Sequence, residues 1–471
     1  MATVDADASF AGVLLNRSGA FTFADGGGTL TLGTGGLSAA GPADTACVYT
    51  VSARVALGAS QNWGITNSGG GSTALVVSGP ISDGPGAFGI TKSGDGLLTL
   101  SGDNSYDGTT SVAAGGGIRV GHDHGLGSAS GGTDVPSNAW VEITGGVNVG
   151  EPLTLRDACE AGALRTCAGT NTWSGPVTLA APTRLRAASG SRLALTGGAA
   201  GVFDLLLSPE ENAELAVAGG ALSLGSRKLA AYGEGTVTIG AGGHAFGSLE
   251  VAGVGMRLLM GARNALPASS TLVVGGNYSV QGIVDLCGYD QTVARLIRGN
   301  TGTSSNRIVT SSAPATLTVN ETSYTPIYYN GHLTGALGLT KAASGYLSLT
   351  GTNNTYTGAT TVSGGTLEVG ASARLGFSPQ VTVSNGASLR LLSASALADN
   401  AVLSIASGGQ VYLQTGIDTV SVLYLGGKRQ RRGTYGSSAS TATFKNDAFF
   451  SPSGTGMINV LHGPECMLLV R

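Results

Sequence analysis

The sequence predicts an all-β protein folded as a parallel β-helix, a β-solenoid forming one elongated rod. Three observations predict it. Short runs with apolar residues at every second position recur from end to end of the 471 residues. Most are followed closely by Gly, Ser or Asn, the signature of a strand entering a turn. A stretch of about 32 residues also occurs twice, at 90–121 and 339–370.

The runs follow one another in order. Early ones are Thr29-Leu30-Thr31-Leu32, Ala74-Leu75-Val76-Val77 and Leu97-Leu98-Thr99-Leu100. The middle of the chain has Arg192-Leu193-Ala194-Leu195, Thr236-Val237-Thr238-Ile239 and Thr271-Leu272-Val273-Val274. Later come Thr316-Leu317-Thr318-Val319, Thr366-Leu367-Glu368-Val369, Ser388-Leu389-Arg390-Leu391 and Val422-Leu423-Tyr424-Leu425. Sandwiches and barrels use similar strands but seldom extend the pattern so far within one domain. A β-helix does, because each coil stacks on the last and buries only its inward side chains. Coils of about 20–25 residues give on the order of 20 coils, and a body about 90–100 Å long at roughly 4.8 Å per coil.

Composition excludes several alternatives. Gly is 79 of 471 residues, yet no Gly-X-Y period runs through the chain and Pro is only 14, so collagen is excluded. With 42% hydrophobic and 11% charged residues the chain can bury a core, which argues against disorder. Leucines and valines set among Gly, Thr and Ser disfavour helix. A net charge of −3 supplies no basic field for nucleic acid. The one dense basic run, Lys428-Arg429-Gln430-Arg431-Arg432, reads as a solvated turn. Its alternative is a contact with an anionic glycan or an acidic neighbouring subunit. No run of 18 apolar residues is present, so no membrane-spanning helix is expected. No basic n-region or apolar h-region follows Met1, so a signal peptide is expected to be missing or already removed.

The five cysteines are Cys47, Cys159, Cys167, Cys287 and Cys466. Cys159 and Cys167 are close enough in sequence to be a candidate disulfide in an oxidising compartment. No CxxC or Cys/His spacing for zinc occurs.

The two copies of the internal repeat read ITKSGDGLLTLSGDNSYDGTTSVAAGGGIRVG and LTKAASGYLSLTGTNNTYTGATTVSGGTLEVG. Lys92 aligns with Lys341, Gly102 with Gly351, Tyr106 with Tyr356, and Gly108 with Gly358. In this pattern the chain resembles the autotransporter-associated β-strand repeat, also called the passenger-associated transport repeat. The shared pattern is a Lys, a Gly-rich turn, Leu-Thr-Leu-Ser-Gly, Asn-x-Tyr-x-Gly-x-Thr-x-Val, then Gly-x-Leu-x-Val-Gly. Stretches around Gln61-Asn62-Trp63, Thr170-Asn171-Thr172-Trp173 and Gly433-Thr434-Tyr435-Gly436 are similar to parts of large repeat proteins of this type from Verrucomicrobia and relatives.

The resemblance implies a right-handed parallel β-helix, export across an outer membrane and display on, or release from, a bacterial cell. It implies no chemistry and no cofactor. It divides the chain into a β-helix at 1–416 and closing coils, a cap or a subunit-linking strand at 417–471. About 100 residues follow the second repeat without the pattern of a membrane β-barrel, so a translocator is not expected here. The implied role is a non-enzymatic structural or adhesive surface protein. Its expected partners are other copies of itself or host and surface glycans. Open strand edges invite head-to-tail addition into a filament. Met467, Leu468, Leu469 and Val470 are the candidate subunit contact, with residues 10–15 at the other end.

The rival is a carbohydrate-active β-helix or a tailspike-like glycan binder, which would need two convergent carboxylates. Glu210-Glu211-Asn212-Ala213-Glu214 reads instead as a solvated turn. Asp103, Asp107, His122, Asp123 and His124 form the densest ionisable group, read as an exposed loop with a metal or sugar site as the alternative. The second copy has Thr352, Thr357 and Ala371-Ser372-Ala373 there, so the repeat does not require those groups. Tyr106 and Tyr356 are expected to pack at a coil corner. Asn104, Asn353 and Asn354 are expected to serve turns or an amide ladder. Trp63, Trp140 and Trp173 are expected to be buried anchors. No catalytic and no metal-ligating residue is assigned.

Overall fold

A computed structural model describes residues 1–113, 115–156, 161–240, 242–276, 281–299 and 307–464. Among them every regular element is a β-strand, and outside two antiparallel pairings beyond residue 420 the strands pair in parallel to form a β-solenoid. The chain divides into two compact units, Met1–Phe246 and Gly247–Arg471.

In the first unit each coil contributes strands to parallel sheets on its different sides. One sheet runs through Leu97–Leu100, Gly117–Val120, Trp140–Thr144, Leu164–Ala168 and Thr183–Ala187. A second runs through Gln61–Thr66, Ile90–Ser93, Thr110–Val112, Thr133–Val135 and Leu153–Leu155. A third begins at Asn148–Val149 and continues through Thr170–Trp173, Arg192–Leu195 and Glu214–Val217.

The alternation in the sequence fixes which side chains point inward. Leu98 pairs with Ile118 and Ile118 with Val141, while Leu100 pairs with Val120 and Val120 with Ile143. All six are fully buried. Each such side chain contributes about 1.5–3 kcal/mol by leaving water. The intervening positions carry Thr99, Arg119 and Glu142, and these too stack in register. Glu142 accepts from Arg119 at 2.6 Å on one side and from Arg165 at 2.9 Å on the other, an ion-pair ladder over three coils. Burial by itself raises the Glu142 pKa; the two guanidinium groups overcome it and hold the carboxyl below its usual range.

The second unit repeats the scheme. Ile327–Tyr329, Tyr346–Leu349, Thr366–Val369, Ser388–Leu391 and Gln410–Leu413 form one parallel ladder. His332–Lys341, Thr360–Val362, Gln380–Val383, Val402–Ile405 and Val422–Leu425 form another. Beyond residue 416 the pattern changes. Gly433–Gly436 pairs antiparallel with Met457–Val460, which itself runs parallel to Ile417–Val420. The basic run begins as the outer arm of a tight hairpin at Lys428–Arg429. Leu425 pairs with Lys428 across Gly426 and Gly427, whose φ values of 56° and 78° suit a two-residue hairpin loop. Lys428 and Arg429 project into solvent.

Candidate functional site

The two repeat copies place the same residue types in the same surroundings. Lys92 and Lys341 point inward and are fully buried. The Lys341 ammonium donates to the carbonyls of Ala342 at 2.6 Å, Ala343 at 3.1 Å, Gly364 at 3.3 Å and Glu321 at 3.4 Å. Lys92 donates to the Gly94 carbonyl. The Glu321 carbonyl also accepts the Gly345 backbone N–H at 2.8 Å; the others belong to turns outside the strand ladders, where a lysine inside the coil supplies the donor. Burial pushes both ammonium groups down to about 8, while Glu321 beside Lys341 and Asp95 beside Lys92 act against the fall.

The Asn of each copy links three coils. Asn104 accepts from the Ile81 backbone N–H at 2.9 Å and donates to the Gly125 carbonyl at 2.7 Å. Asn354 accepts from Leu333 at 2.9 Å and donates to Arg374 at 3.0 Å. Neither takes the left-handed backbone expected of a turn Asn, and each amide bridges coils rather than stacking on another amide. Asn353 is exposed.

Tyr106 and Tyr356 are fully buried. Their hydroxyls pair with Thr110 and Thr360, both at 2.7 Å, and Thr360 continues to Ser378 at 3.1 Å. Burial drives both phenols well above their usual pKa. Removing one hydroxyl by Tyr356→Phe is expected to lower local stability by about 1 kcal/mol. Slow amide exchange at residues 355–362 should quicken roughly five-fold, with the backbone fold unchanged.

Gly102 and Gly351 lie flat against the coil before them. A Cβ at either would overlap a backbone carbonyl, that of Gly79 or Gly331. Gly108 and Gly358 abut the preceding coil in the same way.

Outside this framework the first repeat carries a polar corner. His124 Nδ1 lies 2.8 Å from Asp103 Oδ1, and His122 Nδ1 lies 3.8 Å from the same oxygen. The His124 backbone N–H donates to His122 Nδ1 at 3.2 Å, which leaves that nitrogen as an acceptor. The three ligand atoms lie within 4.8 Å of one another. The hydrogen bond from His124 holds the Asp103 carboxyl below its usual pKa. Asp107 turns away and accepts from Ser128, while Asp123 accepts the Asn148 backbone N–H at 2.7 Å. Of the five ionisable residues grouped in the sequence, the fold thus joins three.

Asp103, Asp123 and His124 border a cleft of about 800 Å³. Glu151, also on this cleft, is only 3% exposed. Neither of its carboxyl oxygens has a hydrogen-bond partner. Burial pushes its pKa up to about 8; the Thr133 hydroxyl nearby offsets this only in part and forms no bond of acceptable geometry. Gly-Glu-Pro reads as an ordinary turn, so nothing in the sequence marks Glu151.

The acidic stretch at 210–214 is taken up in ion pairs. Glu210 pairs with Arg186, and Glu214 with Arg192 at 2.9 Å. Trp63 and Trp173 are buried, and their indole N–H groups donate to Gln61 and to the Glu151 carbonyl. Trp140 departs from the expectation. It is half-buried on an outer face, with the Arg165 guanidinium 3.5 Å above its ring, because its strand position alternates outward. Cys47, Cys167 and Cys287 carry free thiols. The proposed partner of Cys167, Cys159, lies outside the described residues, as do Met467, Leu468, Leu469 and Val470.

The passenger-associated transport repeat, as a family model, matches residues 90–116 and 339–369. Over 124 residues, 26% of this chain, the sequence is 40% identical to the adhesin BmaC autotransporter of Brucella suis biovar 1 (strain 1330). The chain spans 3% of that adhesin's length. No solved structure matches the chain.

Proposed function

We propose that this chain, which carries two passenger-associated transport repeats, is an exported, cell-surface adhesin-like passenger that holds its partners without transforming them. One observation carries the reading. The side chains shared at the Lys, Asn and Tyr positions and at Thr110 and Thr360 are buried and bonded to a carbonyl, an amide or a hydroxyl of the solenoid itself, while the shared Thr91 and Thr340 lie on the outward side. What repeats is therefore framework. Similarity to an adhesin autotransporter supports the same direction. No helix among the described residues is long and apolar enough to cross a membrane.

The partners proposed are surface glycans and further copies of the chain. Strand Ala8–Leu15 pairs with Thr29–Ala40 along one edge and exposes Phe10 and Leu14. A strand from another copy adding at its free edge would extend the solenoid into a filament.

Two assays test the proposal. A polysaccharide panel should show retention of the chain on some surfaces with no new reducing ends or unsaturated products. Accumulating product would replace the adhesin reading by an enzymatic one. Electron microscopy should show filaments from the intact chain and none after deletion of 464–471. Intact filaments from the truncated chain would rule out that segment as the link.

A further inference from the structure

Independently of the adhesive reading, we propose that Asp103, His122 and His124 form a binding site for one divalent metal ion of the zinc class, open toward the cleft that Glu151 borders. Two imidazoles and a carboxylate suit zinc, nickel or copper better than magnesium or calcium. Two ligands held about 2.1 Å from zinc at a tetrahedral angle stand about 3.4 Å apart. The two observed nitrogen–oxygen distances, 2.8 and 3.8 Å, bracket that value, and the whole set spans no more than 4.8 Å. All three side chains are accessible, with 39, 66 and 70% exposure for His122, His124 and Asp103. A metal can therefore enter with rotamer adjustments in which His122 Nδ1 gives up the His124 backbone N–H for the ion.

Three protein ligands leave zinc an open position. Asp103 and His124 border the cleft, so a water or hydroxyl-bearing ligand can fill that position from it. Glu151 borders the same cleft but buries its carboxyl oxygens on the side of Thr133 and the Tyr106 phenol, and it takes no part in the set.

The coil spacing makes the set possible, since Asp103 and His124 are 21 residues apart and meet on successive coils. The second repeat is a natural blank. Aligned on Gly121 and Gly370, it has Thr352, Ala371 and Ala373 at the three positions. Its corresponding corner also borders a cleft, of about 500 Å³, which lacks the ligand set. The framework thus tolerates the site without needing it.

Titration calorimetry of the full chain with zinc chloride tests the proposal, and cobalt(II) serves as a spectroscopic probe. One zinc per chain is expected, with cobalt showing visible absorption of a low-symmetry nitrogen–oxygen site. His124→Ala should weaken binding at least ten-fold, and the double variant His122→Ala/His124→Ala should abolish it. Circular dichroism and the unfolding midpoint without metal should stay unchanged in both. His462→Ala, at an exposed histidine far along the sequence, should bind as the native chain does. Absence of zinc binding to the native chain at hundred-fold excess, or undiminished binding by the double variant, would overturn the proposal.

Discussion

Lys341→Met is expected to loosen the second repeat by about 2–3 kcal/mol. The side chain is fully buried, and its ammonium is the donor for four backbone carbonyls. Methionine fills a similar volume but leaves the Ala342, Ala343 and Gly364 oxygens short of a donor, while Glu321 keeps the Gly345 backbone N–H. In a stacked array the loss is local, so global unfolding is the wrong readout. Hydrogen exchange at the amides of 339–370 should quicken roughly 30- to 150-fold.

The same lysine gives a pH signature. Its folded pKa of about 8 lies below the value near 10.4 of a free lysine. Between those values the unfolded chain binds more protons, so stability rises with pH, by up to about 1.4 kcal/mol per pH unit for each such lysine. Lys92 acts in the same sense. The rise should be seen from pH 8 to 9.5, before the buried tyrosines, whose pKa values are raised, begin to act oppositely near pH 10. Lys341→Met should remove the share belonging to the second repeat. A flat profile in the native chain would show that the carbonyls outweigh burial.

Gly351→Ala is expected to cost about 3 kcal/mol or more, because the added methyl meets backbone rather than a movable side chain. The carbonyl of Gly331 can retreat only if the coils part. Gly102→Ala should act in the same way in the first repeat, against Gly79. Gly64→Ala is the control. A Cβ there would stand 3.5 Å from the Ser38 hydroxyl and 3.6 Å from that of Ser93, ordinary contacts. That change should stay within about 1 kcal/mol. Equal thermal shifts for Gly351→Ala and Gly64→Ala would contradict the close stacking of coils at the repeat.

Much of this was legible before any coordinates. In the runs Leu97-Leu98-Thr99-Leu100 and Thr366-Leu367-Glu368-Val369, period-2 alternation puts Leu98, Leu100, Leu367 and Val369 on one face, and these are the residues the fold buries. Duplication of Lys, Asn and Tyr marked them as framework, though not which carbonyls they serve. Contacts between coils depend on coil length, which varies through the chain and cannot be read from one repeat. Glu151 escaped notice for that reason, as its isolation in the cleft is set by coils before and after it. Arg307 is similar. It lies at the start of a strand where charge suggests an outward position, yet it is fully buried and donates to Asn330 at 2.9 Å. The antiparallel pairing beyond residue 416 also had no periodic signature, because alternation is the same in both strand directions. The histidine–aspartate corner was half legible. His122 and His124 are two residues apart in sequence, but only the stacking brings Asp103 to them and turns Asp107 away.

The central claim is that the side chains shared by the two repeats lie inside the solenoid and hold its coils together. The chain has five lysines, at 92, 228, 341, 428 and 445, so acetylation of the native protein followed by peptide mass spectrometry tests the claim directly. Lys428 and Lys445 are exposed and should react fully, while Lys92 and Lys341 stay unmodified until the chain is unfolded. Their low pKa values would make them the most reactive lysines if reagent could reach them, which sharpens the contrast. Modification of Lys92 and Lys341 at the rate of Lys428 in the folded protein would place them outside and contradict the account.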